Sequence, residues 1–217
     1  IRAMHAEGRL TLTNMAVEAG AKNAIMAADH ITLKYLEGKT TREPKYFFPD
    51  RDAEYEREIE IDISELEPQV ALPSSPDNVV SISEVGKIKV DQVFIGSCTN
   101  NRIEDFRSVT SVLKYRRIHP DLRMIVIPGS PRIFQKMLSE GILSILVESG
   151  ALIGPPTCGP CIGGHMGVLA KGEVGVFTTN RNFVGRNGHP ESKVYLVSPA
   201  VAAATAVKGY LADPRNI

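Results

Sequence analysis

The sequence contains three cysteines, and all of them lie in turn-forming stretches rather than on periodic apolar faces. Cys158 and Cys161 are separated by two residues, a spacing at which a tight turn presents two sulfurs to one metal centre. Cys98 lies much earlier in the chain, at the end of an apolar run, where it could complete the set. The three thiols therefore predict a metal or iron-sulfur site.

Several kinds of site fit these thiols. A closed zinc site would take His165 as its fourth ligand beside the three cysteines. A four-iron cubane held by three thiolates would leave one iron without a protein ligand, and that iron could bind a substrate hydroxyl as a Lewis acid. A redox dithiol shares the Cys-x-x-Cys spacing, but no aromatic residue flanks Cys158 and a Gly-Pro-Pro-Thr stretch precedes it. Ordinary buried cysteines are the remaining possibility, which the turn-forming neighbours disfavour.

Two other groups of polar residues could do chemistry. Arg181 and Arg186 lie in a polar loop, where they would either be solvated or hold carboxylates through the two-point geometry of the guanidinium group. Asn14 and Glu18 are four residues apart in a predicted helix over 10–19, so they would share one face of it. That face could equally be an exposed one without a function.

The elements that must position these residues alternate along the chain. Buried strands are predicted at 90–95, 124–127, 174–178 and 194–197, and helical segments at 103–116, 131–149 and 199–211. Strands that alternate with helices predict an α/β fold with a mainly parallel sheet. Reactive groups in such sheets gather beyond the carboxyl ends of the strands. We therefore expect the loops that contain Cys98, Cys158 and Asn180 to meet at one edge.

The first part of the chain has weaker patterns. A second helix is predicted at 30–36 after Asp29 as its N-cap. Residues 58–63 alternate acidic and isoleucine side chains, which predicts a strand with one buried face. Residues 67–80 contain three prolines and are predicted to be irregular.

Composition excludes several classes of function. The 25 basic and 25 acidic residues balance, so no electrostatic footprint points to nucleic acid or to an anionic membrane surface. Apolar runs are too short to span a bilayer, and three cysteines are too few for a secreted disulfide scaffold. We expect a cytoplasmic protein. Because the sequence begins at Ile1 rather than Met, we also expect a fragment of a longer chain.

The motifs together resemble one known family. Three of them stand in the order in which the aconitase superfamily has them, namely Gly-Ser-Cys-Thr-Asn at 96–100, Cys-Gly-Pro-Cys at 158–161 and Asn-Arg-Asn-Phe-Val-Gly-Arg at 180–186. Residues 11–21 resemble a helix near the active site of that family, so the resemblance covers essentially the whole chain. Gly163-Gly164-His165 and Val-Ser-Pro-Ala at 197–200 are most similar to the large subunits of the isopropylmalate isomerase and homoaconitase branches.

The resemblance implies a fold and a domain organisation. It implies three-layer aconitase-type α/β domains with a mainly parallel sheet. Residues 1–80 would form the end of a preceding domain plus a linker, and residues 81–217 would form the cluster-bearing domain.

The resemblance also implies a reaction. Members of the family remove water from a hydroxy di- or tricarboxylate and add it back with hydroxyl and hydrogen exchanged between neighbouring carbons. The resemblance implies that a 4Fe-4S cluster is bound by Cys98, Cys158 and Cys161. Asn180 would border the cluster, and Arg181 and Arg186 would pair with substrate carboxylates. Asn14 and Glu18 would contact the substrate hydroxyl and the iron-bound water.

Parts that the family needs are not found in this sequence. Family members have a further N-terminal region with proton-moving histidine and aspartate residues, and two-subunit members carry the catalytic serine on a small subunit. We therefore expect a small-subunit partner and no turnover by this chain alone. We also expect its isolated cluster to be exposed and labile to oxygen.

Overall fold

The apolar runs of the sequence become strands of one seven-stranded sheet in a computed structural model that describes all 217 residues. The strands are β1 (Gln69–Ala71), β2 (Val79–Ser81), β3 (Gln92–Ile95), β4 (Arg123–Val126), β5 (Leu152–Ile153), β6 (Val174–Phe177) and β7 (Lys193–Leu196). The helices are α1 (Ala6–Met15), α2 (His30–Leu36), α3 (Ile103–Leu113), α4 (Pro131–Ser139), α5 (Ile142–Ser149) and α6 (Pro199–Lys208). No helix has the length and apolar content that crossing a membrane requires.

The sheet has the order β2-β1-β7-β6-β3-β4-β5. The five strands from β7 to β5 are parallel, whereas β1 runs antiparallel to both β2 and β7. This confirms the predicted α/β class with a mainly parallel sheet. The chain passes from β3 outwards to β4 and β5, then returns to β6 and β7 on the other side of β3. The carboxyl ends of β3 and β6 therefore form the switch point at which ligands bind in open α/β sheets.

The sheet is buried on both faces. Val93 and Ile95 of β3 belong to the larger apolar core, whereas Phe94 between them belongs to a smaller cluster, as the alternation along a strand requires. The ring of Phe94 meets the ring of Phe177 from β6 edge to face, with centroids 5.5 Å apart. Cys161 is a member of the same smaller cluster, so this core reaches the cysteine turn.

The chain divides into two units, Ile1–Leu66 and Glu67–Ile217. In the first unit the side chain of Arg9 is buried and no apolar side chain is. Arg9 donates to both carboxylate oxygens of Asp29 at 2.8 Å, and Asp29 caps α2 as predicted by accepting two backbone N–H groups. The Arg9 guanidinium holds the pKa of the Asp29 carboxyl far below its usual range. An ion pair rather than an apolar core therefore links α1 and α2.

The first helix ends earlier than the sequence predicts. α1 ends at Met15, and the next residues turn through bonds to the third residue back, such as Glu18 N–H to the Met15 carbonyl at 3.0 Å. This tightening is common where a helix ends. Glu18 therefore lies outside the helix that contains Asn14, and the expected shared helix face is wrong.

The strand predicted at 58–63 is also wrong. This segment has no regular structure, and Ile59, Ile61 and Ile63 are 68%, 74% and 66% exposed. A strand needs a neighbour for its backbone N–H and C=O groups, and the first unit contains no strand that could pair with it.

The stretch at 67–80, predicted to be irregular, instead contains β1 and most of β2. These strands pair with each other, and Ala71 of β1 faces Leu196 of β7. The pairing attaches the stretch to the sheet, and the second unit begins at Glu67.

Candidate functional site

Cys98 lies in the loop directly after β3, at the switch point. The loop is attached to the end of β6, because the Thr178 hydroxyl accepts from the Gly96 N–H at 3.1 Å and donates to the Gly96 carbonyl at 3.2 Å. Asn100 Nδ2 donates to the Thr178 carbonyl at 3.0 Å. Ser97 has φ +77°, a left-handed conformation that a non-glycine residue adopts only when its surroundings impose it. The loop thereby leaves the thiol of Cys98 exposed.

Cys158 and Cys161 lie on a tight turn after β5. Cys161 N–H donates to the Cys158 carbonyl at 3.2 Å, within the 3-10 turn Gly159–Ile162. Two later residues hold this turn from outside. Arg186 Nε donates to the Cys161 carbonyl at 3.0 Å, and Asn187 Nδ2 donates to the carbonyls of Pro160 and Cys161 at 3.2 and 3.4 Å. The turn exposes Cys158 and buries Cys161.

The three cysteines are free thiols, two exposed and one buried. Burial raises the pKa of the Cys161 thiol, and negative charge on Cys98 and on Cys158 raises it further. The Arg186 guanidinium acts in the opposite direction, by its charge and by a hydrogen bond to Cys161. Loops after β3 and β5 therefore place Cys98 and Cys158 near enough for their charges to act on Cys161, with the Arg186 guanidinium beside it.

The arrangement differs from that of a single-ion site. No three His, Cys, Asp or Glu side chains of the chain are grouped so as to hold one metal ion. Sulfurs that share one tetrahedral zinc stand about 4 Å apart, because each is about 2.3 Å from the metal. A cubane binds each thiolate through a different iron, so its ligands stand further apart. His165, the fourth ligand of the zinc hypothesis, is exposed and has its Nδ1 3.5 Å from the Thr157 hydroxyl.

The predicted substrate-binding residues lie in the loop after β6. Asn180 is buried and Arg181 is half-buried. The loop is fixed by Asn182, whose Nδ2 donates to the carbonyls of Leu72 and Val194 at 2.7 and 3.0 Å. Arg186 touches the cysteine turn itself. The carboxyl edge of the sheet thus gathers thiols, amides and guanidinium groups, a set that suits an iron-sulfur cluster and an anionic substrate.

Asn14 and Glu18, the predicted catalytic pair, belong to the first unit, whereas the cysteines belong to the second. Asn14 lies in the last turn of α1 and Glu18 in the turn that follows. Both are partly buried. Their predicted contact with substrate stays a prediction.

Two residues that hold the cysteines were not identified from the sequence. Asn187 gives no signal, because an asparagine before a glycine is an ordinary turn residue. Arg102 does give one. It occupies the N-cap of α3, where Ser, Thr, Asp or Asn is preferred and where the helix dipole disfavours a cation. Its guanidinium finds acceptors in the preceding loop, at the carbonyls of Thr99 and Cys98.

Gly159 has to be a glycine at its place between the two cysteines. Its φ is +55°, and an added Cβ would lie 2.6 Å from Ile127 Cδ1 and 3.1 Å from the Phe94 ring. We expect Gly159→Ala to lower the free energy of unfolding by about 1–3 kcal/mol, measured by urea denaturation. Gly164→Ala is the matched control, because its Cβ would meet nothing closer than 3.9 Å. Equal stability of the two variants would contradict this account.

Known proteins match this chain over nearly its whole length. The family model described as "Aconitase family (aconitate hydratase)" matches residues 1–88 and 83–209. The chain is 55% identical over 211 residues to the 3-isopropylmalate dehydratase large subunit of Moorella thermoacetica, an alignment that covers 97% of this chain and 50% of that protein. It is 53% identical over 219 residues to 3-isopropylmalate dehydratase large subunit 1 of Pyrococcus furiosus, covering 100% and 52% of the two chains.

A third relative gives the same result. Large subunit 1 of the 3-isopropylmalate dehydratase of Methanopyrus kandleri is 54% identical over 215 residues, covering 99% of this chain and 51% of that protein. The chain spans about half the length of the curated relatives it matches. The family match and these identities, on a mainly parallel sheet with three thiols at its carboxyl edge, show that the chain belongs to the aconitase family.

Proposed function

We propose that this chain is the cluster-bearing part of an iron-sulfur hydro-lyase, the large subunit of a 3-isopropylmalate dehydratase. That enzyme would convert 2-isopropylmalate to 3-isopropylmalate by removing and re-adding water, a step of leucine biosynthesis. The observation that carries the proposal is that Cys98 follows β3 at the switch point, while the turn with Cys158 and Cys161 packs on the core cluster of Phe94 from the same strand, and all three are free thiols. Relatives with 51–55% identity over the chain bear that enzyme's name.

The donor set fits a 4Fe-4S cluster. Three free thiols lie on two loops that are anchored from outside, so they can be presented without rearranging the sheet. Three thiolates supply one ligand fewer than the four irons of a cubane require. When bound, the cluster would supply a Lewis-acid iron for the substrate hydroxyl.

The remaining residues would bind and orient the substrate. Arg181 would pair with a substrate carboxylate, where the guanidinium group offers two parallel donors. Arg186 uses its Nε at the Cys161 carbonyl, so it would hold the turn and offer its other donors to a carboxylate. Asn180 would border the cluster. Asn14 and Glu18 would approach the hydroxyl and the iron-bound water.

The partners follow from the same proposal. Relatives are named large subunits, so we propose a small subunit that completes the active site and carries the catalytic base. The ligand would be a small hydroxy di- or tricarboxylate. Residues 81–217 would be the cluster-bearing domain, and residues 1–80 would be the end of a preceding domain plus a linker. Three reduced thiols suit a reducing compartment, so we place the protein in the cytoplasm.

Anaerobic reconstitution with ferrous iron and sulfide tests the cluster. We expect broad visible absorbance and about four irons and four sulfides per chain. A colourless chain that binds zinc instead would favour the alternative, a zinc-stabilised binding module, because Zn²⁺ has a filled d shell. Absence of both metals would contradict either function.

Substrate choice needs a second measurement, because homoaconitase large subunits are the alternative within the family. With a full-length large subunit that contains this chain and with the small subunit added, we expect 2-isopropylmalate to be dehydrated and homoaconitate to be inert. The opposite preference would assign the chain to the homoaconitase branch. The large subunit without its partner should show no turnover with either substrate.

A further inference from the structure

Arg102 connects the start of α3 to the loop that carries Cys98. Its Nη1 donates to the Thr99 carbonyl at 2.7 Å and its Nη2 to the Cys98 carbonyl at 3.1 Å. Its own backbone N–H donates to the Asp105 carboxylate at 2.9 Å, which fixes the residue at the helix N-terminus. One guanidinium group thus holds two successive carbonyls of the cysteine loop.

The loop needs such a connection because its conformation is strained. Ser97, directly before Cys98, has φ +77°, and such backbone persists only when surrounding contacts over-determine it. The contacts of Gly96 and Asn100 with Thr178 fix the two sides of the loop to β6. The contact of Arg102 fixes its tip, where the thiol is exposed.

The charge of Arg102 has its own consequence. An arginine at an N-cap lies against the positive end of the helix dipole, a position that is unfavourable unless negative charge lies nearby. Glu104 and Asp105 in the first turn supply negative charge, and the guanidinium itself donates to loop carbonyls next to a residue that would be a thiolate in the loaded protein. A cation at this place stabilises the reduced form of a bound cluster, because that form carries more negative charge.

We propose that Arg102 is a positioning residue for the iron-sulfur site, which fixes the Cys98 loop by its paired hydrogen bonds and raises the reduction potential by its charge. This inference rests on the proposed function. The two effects are separable, because lysine keeps the charge but lacks the planar fork that reaches two carbonyls at once.

The test uses the full chain, reconstituted anaerobically, as wild type, Arg102→Gln, Arg102→Lys and Arg107→Gln. Arg107 is the matched control, because it lies on α3 and pairs at the surface with Glu104 and Glu140. Cluster loss after addition of an iron chelator is followed by visible absorbance, and the midpoint potential by redox titration. Circular dichroism checks that each variant is folded.

We expect Arg102→Gln to lose its cluster about 10–100-fold faster than wild type and to have a lower midpoint potential. Arg102→Lys should also lose the cluster faster but keep the wild-type potential, and Arg107→Gln should match wild type in both. If Arg102→Gln and Arg102→Lys take up the cluster and keep the wild-type loss rate and midpoint potential, the role of Arg102 is overturned, whereas the proposed function is not. A wild-type chain that takes up no cluster would overturn the proposed function, and this inference with it. If the Gln variant fails to fold, the loss rate of the Lys variant decides.

Discussion

A Cys161→Ser variant should lose essentially all bound iron after reconstitution, whereas a His165→Ala variant should keep about four irons per chain. Cys161 is buried in the smaller core and its turn is held by Arg186 and Asn187, so serine would fill the same space without disturbing the fold. A serine hydroxyl stays protonated at neutral pH and replaces a thiolate ligand poorly. His165 is exposed, and its nearest polar contact is Thr157.

The same pair of variants separates the two metal hypotheses. A Cys3His zinc site would lose its metal in both variants, because it needs all four ligands. Iron and sulfide analysis of each variant, beside wild type, gives the answer. A far-ultraviolet circular dichroism spectrum equal to wild type shows that lost iron reflects a lost ligand rather than unfolding. Retention of the full cluster by Cys161→Ser would remove Cys161 from the site.

The sequence predicts the parallel part of the sheet well because that part is governed by local pattern. β3, β4, β6 and β7 are short apolar runs that turn residues follow, and burial on both faces makes each of them a nearly continuous apolar stretch. Their alternation with helices is enough to place the loops after them at one edge. The loops that contain Cys98 and Asn180 could therefore be placed from the sequence.

The short strands could not be predicted, because pairing rather than composition creates them. β5 has two residues, and β1 has three within a proline-rich stretch. Each becomes a strand only when a neighbour supplies backbone partners, β4 for β5 and β7 for β1. The converse holds at 58–63, where the pattern of a strand is present and a partner strand is not.

The candidate site likewise has a part that the sequence predicts and a part that it does not. The Cys-x-x-Cys spacing and the order of the motifs predict the ligands, because both can be read along the sequence without knowing the fold. The residues that hold those ligands act across long stretches of chain, as Asn187 does at Pro160 and Thr178 at Gly96. Such contacts depend on the completed sheet, so only the unusual N-cap position of Arg102 left a trace in the sequence.

Asn187→Asp should be the most destabilising isosteric change near the site. Asn187 is 1% exposed, and its Nδ2 faces the carbonyl oxygens of Pro160 and Cys161. The aspartate carboxylate would be a buried negative charge that faces two carbonyl oxygens, neither of which can donate a hydrogen bond to it. We expect a loss of about 3–5 kcal/mol in the free energy of unfolding at neutral pH, measured by urea denaturation.

The pH dependence of this loss has a definite sign. Burial among carbonyls raises the folded-state pKa of the new carboxyl above its unfolded value of about 3.9, so the folded state binds more protons. Stability relative to wild type is therefore highest below the unfolded pKa and falls as pH rises towards the folded pKa. We expect a larger deficit at about pH 8 than at about pH 5. Equal deficits at both pH values would contradict the buried-charge explanation.

Asn182→Asp is the matched control for the effect on the cluster. Asn182 is 2% exposed, donates through Nδ2 to two carbonyls, and like Asn187 has a buried Oδ1 without a hydrogen-bond partner. It should lose stability with the same pH trend. Its carbonyl partners, Leu72 and Val194, lie outside the cysteine turn, so the folded fraction of Asn182→Asp should keep its iron while that of Asn187→Asp loses it. Iron loss to the same extent in both variants would mean that general destabilisation, not the turn held by Asn187, controls retention.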